Sequence, residues 1–226
     1  MPFDPTAVSE YPPLIGCDEV GTGALCGPVV VAAVWFDPVA IPQSLFADLD
    51  DSKQLTRKRR TSLAVAIRLA ARVSISVTSA EQVDKRGVRV ATLSAMRRAI
   101  IRLGINAPVR IDGVVVPKRI PMQCMAIVRG DATVPQIAAA SIVAKVFRDR
   151  LMIRLGRKFP DYNWQRNVGY GTAEHLIAIE RFGPTRFHRM TYAPLLQPSL
   201  LFADGAADLE LDSPTTSTAC PIVSLV

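Results

Sequence analysis

Apolar residues are bunched into short runs at the start of the chain and spread to wider intervals later. Leu14-Ile15-Gly16-Cys17-Asp18 is a brief apolar segment ending in charge. Residues 28–36 form a second, whose unbroken Val29-Val30-Val31-Ala32-Ala33-Val34 predicts a strand buried on both faces. Gly21, Gly23 and Gly27 punctuate the connection, which predicts a tight turn rather than a helix. Residues 72–78 alternate Val73, Ile75 and Val77 with Ser74, Ser76 and Thr78, the period-2 pattern of a third strand. Helical intervals appear in Leu63, Ile67 and Ala70, and again in Leu93, Met96, Ile100 and Leu103. Residues 109–112 and 122–128 are two further short strands, stopping at Asp112-Gly113 and before Arg129-Gly130-Asp131. A long helix is predicted from Pro135, a residue suited to a first helical turn, with a stripe of Ile137, Ala140, Ala144, Phe147, Leu151 and Leu155. The last helix, 173–182, stops at Gly183-Pro184. The expected order is three strands, helices, two strands and helices: an α/β sandwich around a mixed five-stranded sheet.

Composition narrows the reading. The chain has 226 residues, 49% of them hydrophobic, which suits one buried core with an appendage or at most two small domains. The longest apolar stretch, 24–36, contains Gly27 and Pro28 and is shorter than the roughly 20 residues a membrane-spanning helix needs. No Lys or Arg precedes Lys53, so a secretory leader is not expected. The four cysteines show no C-x-x-C pair, and Cys17 and Cys124 read as small core residues, which fits a reducing cytoplasm. His175 and His188 are too few for a histidine-built metal site and read as helix-face or loop residues. The first 13 residues hold four prolines and read as an extended lead-in, and 197–226 as a disordered acidic tail.

Charge is unevenly placed. Residues 1–52 carry eight acids and no base, and 197–226 four acids and no base. The 27 Lys and Arg therefore all fall within 53–196, against eight acids, a balance of +19. That concentration points to a polyanionic partner, most simply nucleic acid, with a solvated basic surface as the alternative.

Three strands end in acids: Asp18-Glu19, Asp112 and, a few residues on, Asp131. In open α/β sheets ligands gather outside strand ends. Carboxylates converging there repel unless a hard cation neutralises them, and Mg²⁺ or Mn²⁺ prefers oxygen ligands. Taken singly, Asp112-Gly113 also fits a β-turn, and Gly130-Asp131 a helix cap. Spacing alone does not show that these groups meet.

The segment 14–23, with Gly27-Pro28-Val29-Val30 after it, is similar to the N-terminal signature of type 2 ribonucleases H, the bacterial ribonuclease HII branch above all. Further matching blocks are Asp51-Ser52-Lys53, Ile111-Asp112-Gly113, Gly130-Asp131, residues 137–146, Gly169-Tyr170-Gly171-Thr172 with His175, and His188-Arg189. The resemblance runs from about residue 14 to 194. It implies a ribonuclease H-like domain over 14–196 with a C-terminal helical extension. It also implies an endonuclease that cuts the RNA strand of RNA–DNA hybrids, and cuts 5′ of ribonucleotides embedded in duplex DNA. Implied with it are a two-metal Mg²⁺ or Mn²⁺ centre at Asp18, Glu19, Asp112 and Asp131, products with 3′-hydroxyl and 5′-phosphate ends, and a cytoplasmic monomer.

One departure concerns selectivity. The family's glycine turn normally reads Gly-Arg-Gly; here it is Gly21-Thr22-Gly23, as in the sister ribonuclease HIII, which does not share the preference for single ribonucleotides. The backbone of that turn is expected at the 2′-hydroxyl that separates RNA from DNA. Tyr170 matches the tyrosine that stacks on the sugar at the junction, or else is a buried aromatic. Ser141, Lys145 and Arg148, spaced i, i+4, i+7, are expected to share one helix face pointing at phosphates, and Lys53 is a second expected phosphate contact. A non-catalytic nucleic-acid-binding module on the same fold is the alternative from another class.

Overall fold

The computed structural model describes residues 13–37, 42–49 and 55–196. The lead-in before Pro13, the tail 197–226 with Cys220, and Lys53 with its Asp51-Ser52 neighbours lie outside the described residues. The strands are β1 (Ile15–Val20), β2 (Val29–Phe36), β3 (Ala71–Thr78), β4 (Val109–Asp112) and β5 (Cys124–Ile127). They form one sheet in the order β3-β2-β1-β4-β5. β1 pairs antiparallel with β2, and β2 with β3, while β1–β4 and β4–β5 are parallel. The mixed five-stranded sheet is the one expected.

The helices are α1 (Gln43–Asp48), α2 (Arg57–Ala70), α3 (Ala80–Arg86), α4 (Val88–Leu103), α5 (Pro135–Lys158), α6 (Trp164–Asn167) and α7 (Ala173–Phe182). The order differs from the expected one: α1 and α2 come between β2 and β3, and α3 is an extra helix. α3 carries no apolar stripe: it is about two turns of mostly polar residues in which only Ala80 and Val83 are buried. It is nonetheless capped, Ser79 Oγ accepting from the Gln82 N–H at 3.3 Å.

Burial on both faces of β2 organises the core. Val30, Ala32 and Val34 face α2 and α5, among them Leu63, Ile67, Ala138 and Ile142. Val31 and Ala33 face α4, with Ile15, Cys17, Ala95, Ala99, Val109 and Ile111. Because side chains alternate along a strand, Gly16 and Asp18 of β1 face α5. A Cβ on Gly16 would collide with the backbone of Gln136, so only glycine lets α5 lie this close to β1. That close approach brings the N-terminal half of α5 over the ends of β1 and β4.

The chain after α5 forms the helical extension, held by a third cluster that includes Met152, Tyr162, Trp164, Ala178, Ile179 and Leu195. His175, on the inner face of α7, and His188, in the segment after that helix, are 0% and 2% exposed and lie inside this cluster. Each ring is fully used. Nδ1 of His175 donates to the Tyr170 carbonyl (2.8 Å), and its Nε2 accepts from Trp164 Nε1 (2.9 Å) and from His188 Nε2 (3.1 Å). His188 Nδ1 accepts from the Thr185 N–H at 2.8 Å. Both imidazoles are thereby assigned as neutral tautomers. Burial, with His175 second, pushes His188 down to about 4. No helix among the described residues is long and apolar enough to cross a membrane.

Candidate active site

At the C-terminal ends of β1 and β4, under the start of α5, lies a cleft of about 420 Å³. Asp18, Glu19, Asp112 and Asp131 all line it, with Gly21, Thr22, Ser141, Lys145 and Tyr170. Parallel pairing of β1 with β4 sets the first three acids side by side, and the single 3₁₀ turn Gly130–Ala132 after β5 delivers Asp131. Asp112 braces that turn, its Oδ1 accepting from the Gly130 N–H at 2.7 Å.

Asp18 is 5% exposed, and its Oδ1 accepts from the Glu19 N–H at 2.7 Å. Burial raises its pKa well above the ordinary carboxylate range; the Glu19 charge adds to this and Asp112 adds less, while a hydrogen bond with Ser141 opposes them. Among the described residues no three His, Cys, Asp or Glu side chains are close enough to form a ready-made metal cluster. The donor set nonetheless suits a hard cation. The carboxylates of Asp18, Glu19, Asp112 and Asp131 and the hydroxyl of Ser141 all line the cleft, and these are the oxygen donors such an ion prefers.

Lys145 sits at the cleft wall, paired with Asp149 at 2.8 Å. Its ammonium is 6.0 Å from the ring centroid of Tyr170, which is half-buried and faces the cleft. Arg148 departs from expectation. Its guanidinium is fully buried and does not reach the cleft. Nε donates to the Pro28 carbonyl (2.9 Å), Nη1 to Val168 (2.9 Å) and Nη2 to Cys26 (3.0 Å). It shares the helix face read from its spacing, but it is wholly enclosed, and three carbonyls from the glycine-rich connection and the Tyr170 loop hold it away from the cleft.

A second buried arginine, not singled out from sequence, completes this support. Arg189 is 0% exposed and donates to the Gly27 carbonyl through Nε (3.2 Å) and Nη2 (2.9 Å), and to the Thr22 carbonyl through Nη1 (2.9 Å). Tyr192 adds its hydroxyl to the Thr22 carbonyl at 2.6 Å. Two guanidinium groups thus fix the glycine-rich connection from below, Arg189 by the Thr22 and Gly27 carbonyls and Arg148 by those of Cys26 and Pro28, while Gly21 and Thr22 line the cleft. The His188-Arg189 block signalled this only through its resemblance, since the partners lie more than 160 positions away.

The family profile described as Ribonuclease HII matches residues 15–194. Ribonuclease HII of Rhizobium johnstonii is 50% identical over 184 residues, 81% of this chain and 79% of that protein. Among solved structures, ribonuclease H2 from Pyrococcus horikoshii superposes with a TM-score of 0.71 at 24% identity, covering 85% of this chain and 99% of that one. Bst-RNase HIII in complex with Mn²⁺ gives 0.67 at 21% identity, covering 84% and 70%. The sheet order and layers described above are therefore those of the ribonuclease H-like fold, and the chain belongs to the ribonuclease HII family, as a ribonuclease H endonuclease.

Proposed function

We propose that this protein hydrolyses the RNA strand of RNA–DNA hybrids and cuts duplex DNA on the 5′ side of an embedded ribonucleotide, leaving 3′-hydroxyl and 5′-phosphate ends. The observation that carries the reading is that four carboxylates, a glycine turn and a tyrosine line one cleft. Asp18, Glu19, Asp112 and Asp131 would hold Mg²⁺ or Mn²⁺, the ion that a structural relative is described as binding. Bound there, a divalent pair supplies an activated water and charge neutralisation at the leaving oxygen.

The chain's own groups position the substrate. Gly21 and Thr22 line the cleft, and because the Thr22 carbonyl is engaged below by Arg189 and Tyr192, the N–H groups of the Gly21-Thr22-Gly23 turn are the backbone groups that would meet a 2′-hydroxyl. Tyr170 offers a face on which a sugar can rest beside that turn. Lys145 stands where a phosphate would enter, its charge held in place by Asp149. Ribonuclease HIII-like selectivity is the competing version, carried by the Gly-Thr-Gly sequence alone; the placement of Tyr170 beside Gly21 and Thr22 favours the first.

The purified protein, given Mg²⁺ or Mn²⁺ and a DNA duplex with one ribonucleotide, is expected to cut 5′ of that nucleotide. Cleavage of a continuous hybrid with none of the single-ribonucleotide duplex would replace this version with the other. Cleavage of neither would leave a binding module.

A further inference from the structure

β3 presents its faces in an unusual way. Its hydroxyl residues Ser74, Ser76 and Thr78 are buried at 7%, 2% and 6% exposure, while Val77 is 44% exposed. The buried hydroxyls turn towards α4, and Arg98 of that helix lies over them. Its Nε donates to Ser76 Oγ (3.1 Å), Nη1 to Ser94 Oγ (3.1 Å), and Nη2 to Thr78 Oγ1 (2.8 Å) and the Val77 carbonyl (3.4 Å). Four neutral acceptors hold this guanidinium rigid, and none carries a compensating charge.

The surroundings add more positive charge. Arg98 lines a pocket of about 430 Å³ with Ser79, Gln82, Arg86 and Ser94 beside Val77 and Ala91, and no acid lines it. Burial, then Arg102 and Arg86, lower the pKa of Arg98. The nearby acids are committed elsewhere: Glu81 to Lys85, and Asp84 to the backbone of Met190 and Thr191. Among the described residues none of the three arginines has an ion pair. Arg98 is the partly buried member, with Arg86 and Arg102 exposed around it, and like charges set this close favour an anion between them.

Strand register places the pocket. Thr78 lies opposite Val29, and Val30 opposite Val20, so the end of β3 stands two strands across from the start of the glycine turn. That is about 10 Å between Thr78 and Val20 at ordinary strand spacing; the pocket lies at the same end of the sheet as the carboxylates but on the α4 side, whereas Asp18 faces α5.

We infer that Arg98 and Arg86, with the hydroxyls of Ser79 and Ser94 and the Gln82 amide, bind a backbone phosphate of the substrate duplex at a distance from the scissile bond. The inference rests on the nucleic-acid reading above and adds a second anchor to it. A fixed guanidinium with neutral donors around it sets register and affinity, not base preference.

The test is binding of a labelled RNA–DNA hybrid in EDTA, by anisotropy across a salt series, for wild type, Arg98→Gln, Arg86→Gln and Arg98→Lys. Losing one phosphate contact is expected to make the slope of log K against log salt shallower by about 0.9, with Kd raised roughly five- to twentyfold for Arg98→Gln and about threefold or more for Arg86→Gln. Arg98→Lys is expected to restore most of the slope, and the loss in cleavage assays to fall on KM. Should Arg98→Gln fail to fold, the exposed Arg86 decides the matter. Wild-type slope and Kd in folded variants would overturn the inference. Inorganic phosphate that stabilises wild type but not Arg98→Gln, with duplex binding unchanged, would also overturn it by making a free ion the occupant. Failure of the wild type to cleave any ribonucleotide substrate would refute the proposed function separately, since the slope is read without turnover.

Discussion

Gly21 and Gly23 lie one residue apart in the same turn and are glycine for different reasons. Gly21 has φ +87°, and a Cβ there would collide with the Arg148 guanidinium beneath it. Gly23 is exposed, and a Cβ would meet nothing within 4 Å. Nothing inside the molecule requires the second glycine, whereas a sugar approaching the turn would. Gly21→Ala is therefore expected to cost on the order of 3 kcal/mol of stability, read by denaturant unfolding. Gly23→Ala is expected to change stability by about 0.5 kcal/mol or less, yet to lower kcat/KM on a single-ribonucleotide duplex by about tenfold or more, as a lost close approach at the reacting centre does. Equal activity of Gly23→Ala and wild type would remove the turn from substrate contact. Arg148 is fixed by partners distant in the chain. Its interval from Ser141 and Lys145 gives the helix face, but the carbonyls that hold it are 20 and about 120 residues away, and no local pattern announces them.

At the scale of elements, periodicity carried most of the fold. The predicted 109–112, 173–182 and the Pro135 start coincide with β4, α7 and α5. β3 was legible as a strand but not in its orientation, because alternation tells which residues share a face and not which face is covered. The α4 arginine turns the hydroxyl side inward. The extension around α7 depends on the neutral His175–His188 pair, and its pH response follows from the depressed pKa values. An unfolded histidine titrates near 6.5, whereas folded His188 titrates near about 4 and His175 is also lowered by burial. Between those values the unfolded chain binds more protons, so stability is full above pH 6.5 and falls as pH drops through that window. The expected loss by pH 4 is on the order of 2–3 kcal/mol, seen as a falling Tm. A His188→Gln variant should flatten that slope; a Tm that stays level from pH 7 to 4.5 would contradict the pairing.

Across the whole molecule, acids and bases are segregated in a way the sequence made plain. The +19 midsection surrounds a cleft that is itself acidic. Attraction of the duplex and chemistry on it are thus assigned to different groups, one exposed and basic, the other buried and carboxylate-rich. If about four phosphates are neutralised on binding, a fourfold rise in salt should weaken hybrid binding by on the order of 10²-fold, while kcat at saturation stays nearly constant. Salt-independent binding would make the basic surface a solubility feature only. The four acids were individually ambiguous in sequence, as turn, cap or strand end. What gathers them is parallel pairing of β1 and β4, and the closeness of α5 that Gly16 permits, neither of which local sequence states.

Single-turnover cleavage of a duplex carrying one ribonucleotide, compared between wild type and Asp112→Asn in saturating Mg²⁺ or Mn²⁺, goes to the core of the account. Asparagine keeps an oxygen for the Gly130 N–H, so the turn bearing Asp131 should stay in place. The account predicts a rate at least about 10³-fold lower with substrate affinity within a few-fold of wild type, because one anionic oxygen ligand is lost from the hydrolytic centre. A rate near that of wild type would show that these carboxylates do not form that centre.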